Sequence, residues 1–297
     1  MTRGIGIIGL SGYESDATRL ARATRYFEAR DCHVRLLPQA SASVERFAAP
    51  EQQRLAALAT FLEASDIEIV IALRGGYGLS RLLDSIDFEA MTKRLARSQQ
   101  KWIGHSDFTA LNLALLARAG AVSYAGPMAG PDFGLDHLDD YTEAQFWRIV
   151  DGGPLDLEWR TSAPDQQASG TLWGGNLAMV TSLMGTRYFP DIDDGILYIE
   201  DTGEAPYRVE RMLLQLDMAG VLARQKAVLV GEFDRIPTHE YNRGFDLARA
   251  FEYVSSRHGT RFVPGLPFGH GAKKATLPHG ARANLSVVAG IARLKAA

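Results

Sequence analysis

Between residues 4 and about 150 the chain alternates short apolar runs with stretches of helical periodicity, and this alternation restricts the fold more than any other feature. In order come "GIGIIGL", a helix over about 16–29, "HVRLLP", a helix over about 50–64, "IEIVIAL", a helix over about 88–96, "KWIGH", a helix after Ser106, and "AVSYAG". A strand, a helical crossover and a further strand make a βαβ unit, so the series predicts a mostly parallel sheet covered on both faces. Ligand sites on such sheets lie outside the carboxyl ends of the strands.

Past "DGGPLDLEW" the texture changes, because turn-rich segments such as "TSAPDQQASG" separate the strand candidates "GILYIED", "AVLVGEF" and "ANLSVVAGI". A boundary near residues 150–165 follows, with one domain over 1–155 and a mixed, β-richer one over 165–297. Two domains also suit a length of 297 residues. There is no internal repeat, and the closing "RLKAA" reads as a frayed end.

Composition removes several classes of function. The formal charge is -3 with Lys and Arg scattered, so the chain lacks the basic stripe that nucleic acid demands, and a small partner is expected. One cysteine, Cys32, allows no internal disulfide and no cysteine-built zinc cage, and it reads as a small buried hydrophobe. No stretch approaches the ~20 apolar residues of a membrane span. The opening "MTRGIGIIGLSGYESD" meets Glu14 and Asp16 too soon for a signal peptide. A cytoplasmic location is the expectation.

Two turns carry the candidate chemistry. In "IALRGGYGLSRLL" the residues Arg74, Gly75, Gly76, Tyr77 and Gly78 follow an apolar strand, where glycines permit positive φ and a close approach to bare backbone N–H groups. A plain tight turn is the other reading. The turn lacks the Lys-Ser/Thr of a P-loop and the spacing of a dinucleotide fingerprint. One unit later, Ser106 stands between "KWIGH" and a helix with Phe108, Leu111, Leu115 and Leu116 at helical spacing. It is either an N-cap or a nucleophile at the tip of a strand-to-helix turn, with the Asp107 amide at the positive end of the helix dipole. "GHSDF" has Gly104 but lacks the second glycine of G-x-S-x-G.

A serine nucleophile needs a base and an acid that orients it. Of the seven histidines, His33, His137, His239 and His258 lie in polar or helical surroundings, and His105 adjoins Ser106 in a turn where neighbours point apart. His270, in "PGLPFGHGAKKATLP", sits in a loop structured by prolines and glycines, with His279 in "LPHGAR" as its competitor. Glu200 and Asp201 end the apolar run of "GILYIED" and offer the acid.

Taken together, "RGGYGLSRLL", "GHSDFTAL", "GTLWGGNLAMVTSLMGT", "GILYIED", "YRVERMLLQL" and "GLPFGH" resemble, in order and spacing, the LD-carboxypeptidase family. These are serine peptidases that include the murein tetrapeptide carboxypeptidases, and the likeness covers nearly the whole chain. It implies an α/β architecture, a Rossmann-like nucleophile domain followed by a smaller β-rich domain, assembled as a homodimer. It implies Ser106 as nucleophile, His270 as base, Glu200 as the orienting acid, and oxyanion donors at the amides of Asp107 and Gly76, with Gly75 and Tyr77 as alternatives for the latter. No metal or organic cofactor is implied. Trp173 and Asn176 are expected at the cleft wall, with helix-start packing as the alternative, and Arg74 is a candidate reader of the substrate carboxylate.

The implied reaction is hydrolysis of the meso-diaminopimelate to D-alanine amide of a murein tetrapeptide in peptidoglycan recycling. Two rivals remain open. The family also holds the microcin C immunity hydrolases, which cut aminoacyl nucleotides and bring an aromatic loop to the base. A binding protein that kept the cleft without the chemistry is the other.

Overall fold

The computed structural model describes residues 2–237 and 239–296. The five apolar runs of the first half are five parallel strands, β1 (Arg3–Ile8), β2 (Cys32–Leu36), β3 (Ile69–Ala72), β4 (Lys101–Ile103) and β5 (Ser123–Ala125), hydrogen-bonded in the order β5-β4-β3-β1-β2. Helices α1 (Ala17–Glu28), α2 (Glu51–Glu63), α3 (Phe88–Ser98) and α4 (Thr109–Ala119) make the crossovers, and α5 (Asp140–Val150) leads out. Because helices cover both faces, all of "IVIA" in β3 is buried. The mostly parallel sheet read from the sequence, and the Rossmann-like domain that the resemblance implied, are what forms.

The second sheet has seven strands and a divided character. β6 (Leu155–Arg160) enters it, then β7 (Gln166–Asn176), α6 (Leu177–Ser182), β8 (Gly195–Thr202), α7 (Pro206–Met218), β9 (Gln225–Asp234), α8 (Leu247–His258) and β10 (Phe262–Pro264) follow. β7 to β10 run parallel because a helix joins each to the next. The chain then returns to the first sheet, where β11 (Leu277–His279) pairs antiparallel with β5. β12 (Arg282–Val288) and β13 (Ile291–Ala296) complete the order β10-β9-β8-β7-β12-β13-β6. Their two-residue turn takes positive φ at both Ala289 (+50°) and Gly290 (+76°), the twist that suits a tight hairpin.

The closing segment corrects the frayed end expected for "RLKAA". Residues 293–296 lie in β13, which is paired with β12 on one side and β6 on the other. Ala292, Leu294 and Ala296 point into the core, while Arg293 and Lys295 meet Glu158 and Asp156 of β6 at 2.8 and 3.5 Å. Two-residue periodicity with charges on the outer face is a strand signal even at a chain end.

One core joins the two sheets. Phe108, at the start of α4, and Leu111 and Leu115 within it share a cluster with Trp173, Leu177 and Val209 from the second half. α4 is buried from Thr109 through Leu116, so it is enclosed on every face rather than along one stripe. The helix behind Ser106 is therefore held from both domains. Among the described residues no helix is long and apolar enough to cross a membrane.

Candidate active site

Ser106 begins a 3₁₀ turn between β4 and α4, with φ at +61°. Left-handed backbone costs a non-glycine residue about 1–2 kcal/mol and persists only where the surroundings impose it. Here they do, since the side chain stands over the glycine turn: a Cβ added to Gly75 would lie 2.7 Å from both Cβ and Oγ of Ser106. Ser106 is half-buried, and among the described residues its hydroxyl forms no hydrogen bond to a helix-start amide, so it is not the cap of α4. The serine therefore stands at positive φ on a sharp strand-to-helix turn, from which its hydroxyl can project.

Glu200 and His270 come from the other domain. Glu200 is on β8, fully buried, and its Oε2 lies 2.6 Å from His270 Nδ1. The histidine stands in the loop after β10, where Gly269 at φ +151° passes against Glu232 and the Glu232 N–H donates to Phe268 O at 2.8 Å. Burial pulls the His270 imidazole down, but the hydrogen bond and negative charge of Glu200 outweigh it and leave the ring above its ordinary value. With Nδ1–H directed at the carboxylate, Nε2 is the nitrogen left to take a proton.

The competing histidines have other places. His105 is buried, bonded through Nδ1 to Gly126 O at 3.0 Å, with its ring 5.0 Å from that of His270. Burial, and then the charges of Lys274 and His270, hold it well below its usual value, so it is a neutral wall beside His270. His279 is buried on β11 against the Tyr198 hydroxyl at 2.9 Å, and burial pushes it down to about 3. Neither touches Glu200.

The WGGN segment takes the packing alternative. Trp173 is 0% exposed, donates its indole N–H to Gln225 Oε1 at 2.9 Å and packs edge-on against Phe189. Asn176 caps α6 by accepting from Met179 N at 3.1 Å and donates to Asp201 Oδ1 at 2.8 Å. Gly175, at φ +135°, lets β7 run against Thr109, whose Oγ1 accepts from Asn176 N at 3.2 Å. The expected cleft wall is thus a joint between the domains, with both side chains engaged internally.

Arg74 is partly buried beside the glycine turn and donates Nη1 to Tyr13 O at 3.0 Å, with Nε buried and unpartnered. Gly76 is exposed at φ +107°, its amide in the turn that abuts Ser106 through Gly75. The sequence reading missed four buried charged groups around these turns. Arg54 and the Asp107 carboxylate grip the glycine turn, and Lys274 pairs with Asp132 at 2.8 Å behind His270. Only Arg54 had a signal, a charge on the buried stripe that α2 forms with Leu58, Phe61 and Leu62.

Comparison with known proteins places these features in a group. Residues 5–126 match the LD-carboxypeptidase N-terminal domain family, and residues 169–285 the LD-carboxypeptidase C-terminal domain family. The chain is 40% identical to the crystal structure of muramoyltetrapeptide carboxypeptidase from Oxalobacter formigenes, over 99% of this chain and 98% of that one, with a TM-score of 0.91. It is 32% identical to the murein tetrapeptide carboxypeptidase of Pseudomonas aeruginosa over 281 residues, 91% of this chain and 89% of that protein. The microcin C7 self immunity protein MccF shares the fold at TM-score 0.88 with 19% identity, covering 99% of this chain and 96% of that one.

Proposed function

Because the chain belongs to the LD-carboxypeptidase family and is a serine carboxypeptidase, we propose that it removes D-alanine from murein tetrapeptides by cutting the meso-diaminopimelate to D-alanine amide. The observation that carries the reading is the buried Glu200 bonded to His270 at 2.6 Å, in a fold that presents Ser106 at positive φ over Gly75.

The chemistry follows from that pair. His270 Nε2 takes the Ser106 proton as Oγ attacks the carbonyl carbon, and the amides of Asp107 and Gly76 hold the oxyanion. His270 then protonates the departing D-alanine nitrogen, leaving an acyl-serine. A water gives a proton to His270 as its oxygen attacks the acyl carbon, and His270 returns that proton to Ser106 Oγ as the acyl–oxygen bond breaks and the tripeptide leaves. Glu200 stays ionised throughout, stabilising the imidazolium and fixing its tautomer. Every proton is accounted for without a metal or organic cofactor.

In this reading the nucleophile domain spans residues 1–155 and the domain carrying acid and base spans 165–297, so the site is assembled across their joint. Arg74 reads the terminal carboxylate with the donors that its bond to Tyr13 leaves free. The protein acts in the cytoplasm on recycled peptides, as a homodimer. Aminoacyl-nucleotide hydrolysis is the second reading; Trp173, which could be taken for a residue that stacks on a base, is enclosed in the core.

The deciding experiment incubates L-Ala, D-Glu, meso-diaminopimelate, D-Ala tetrapeptide with wild type and with Ser106→Ala in the presence of a chelator, read by mass spectrometry. Release of D-alanine by the wild type alone is the expected result. No release by either protein overturns the murein reading and makes an aminoacyl nucleotide the next substrate.

A further inference from the structure

The peptide unit joining Gly78 to Leu79 is gripped at both ends by buried charged side chains. Its carbonyl accepts from Arg54 Nη1 at 3.1 Å, and its N–H donates to Asp107 Oδ2 at 2.9 Å. The same two side chains reach the loop after β1, where Arg54 Nη1 donates to Leu10 O at 2.6 Å and Ser11 Oγ donates to Asp107 Oδ2 at 2.6 Å. Gly12 N–H donates to Gly75 O at 3.1 Å and closes the arrangement at the other end of the turn. Arg54 is 0% and Asp107 1% exposed.

Two observations argue that this clamp does more than fill space. Burying a guanidinium and a carboxylate costs several kcal/mol for each ion, and well-packed apolar side chains commonly serve stability as well or better. What apolar groups cannot do is fix the direction of a peptide plane. The turn needs such fixing, because Gly76 at φ +107° and Gly78 at +138° have no Cβ to restrict rotation, and a Cβ on Gly78 would itself strike Phe47 and Arg54. Asp107 also immediately follows Ser106, so one residue contributes its own amide beside the nucleophile and holds the facing turn with its side chain.

We propose that Arg54 and the Asp107 carboxylate are positioning residues that hold the 75–78 turn so its amide stays aimed at the oxyanion above Ser106. The proposal rests on the serine-hydrolase reading given above. Arg54 acts from behind the turn and the carboxylate from the nucleophile side, so loss of either releases the same peptide unit.

The test compares wild type with Asp107→Asn, Arg54→Met and Ser11→Ala, the last of which removes one hydrogen bond and keeps both charges. For each, end-point labelling of Ser106 by a serine-reactive phosphonate counts competent sites. The second-order labelling rate then reads oxyanion stabilisation without the peptide, and kcat and KM are taken per labelled site for D-alanine release. Losing one oxyanion donor outright costs roughly 100- to 1,000-fold in kcat, so a misaimed one should cost about 10- to 100-fold in Asp107→Asn and Arg54→Met, and about 3- to 10-fold in Ser11→Ala. Labelling rates should fall in parallel, with KM within about 3-fold of wild type. Unchanged kcat and labelling rate per site, however low the yield or Tm, overturn the proposal, as does a rise in KM alone. A wild type that labels but releases no D-alanine sinks the murein reading instead, and the labelling rates still decide the positioning role.

Discussion

His270 Nδ1 and Glu200 Oε2 lie 2.6 Å apart, with the carboxylate wholly buried and the imidazole largely so. The pair raises the His270 value above 6.5 against the opposing effect of burial. As a base, His270 works only when neutral, so the acid limb of kcat/KM should fall above the ordinary histidine value. Glu200→Gln should shift that limb to lower pH and reduce kcat by about 1,000- to 10,000-fold, since an amide favours the wrong tautomer. A pH profile of the variant with its limb in place would refute the assignment. For stability the sign is opposite: the raised value contributes most below about pH 6.5 and its contribution is lost as pH rises through the folded-state value, so it supports the fold where the enzyme is least active.

Ser106 at φ +61° predicts a trade between stability and activity. Ser106→Gly relieves left-handed strain of about 1 kcal/mol, and Tm should rise by roughly 2 °C while activity disappears. Gly75→Ala should reverse only the first effect, because its Cβ would press within 2.7 Å of Ser106 Oγ, lowering Tm and also cutting kcat at least ~100-fold. Thermal melts and D-alanine release on the two variants check the pair together, and a Ser106→Gly protein that melts below wild type would contradict the strain argument.

The parallel sheet was legible because each strand is a short apolar run with a helical crossover behind it. β13 was missed although it alternates, since its buried set is only two alanines and one leucine, too weakly apolar to stand out before pairing with β6 and β12 buries it. Ser106 could be singled out locally, but cap and nucleophile share one sequence signature, and only the backbone angle removes the cap. Nothing local links Glu200 to His270, 70 residues away; the resemblance alone joined them before the structure did. The sequence leaves open whether Trp173 faces the cleft or packs inward, because an aromatic residue before a glycine pair serves either. Its burial is decided by Phe189 and Gln225, whose approach depends on the strands around them.

That burial makes Trp173→Phe a control. The variant loses indole volume and leaves Gln225 Oε1 without its donor, so stability should fall by about 1–3 kcal/mol in urea titration. KM for the tetrapeptide should stay within about 2-fold, since the side chain has no exposed surface. A KM rise beyond that would return Trp173 to the cleft.

Lys274 is 1% exposed, and its Nζ lies 2.8 Å from Asp132 Oδ1 and 2.9 Å from Gly271 O, the residue after His270. Asp132 is itself held, its Oδ2 accepting from Met128 N at 2.7 Å. The pair therefore bolts the loop that carries His270 onto the turn following β5. Lys274→Met leaves a buried carboxylate without its cation and should cost about 3–5 kcal/mol, whereas adding Asp132→Asn to it should recover part of that loss. Activity separates the two contributions. If the bolt also places His270, the double variant regains stability but not kcat, because Gly271 O is still released. Equal recovery of both would mean that Lys274 serves the fold and that the loop holds His270 in position by itself.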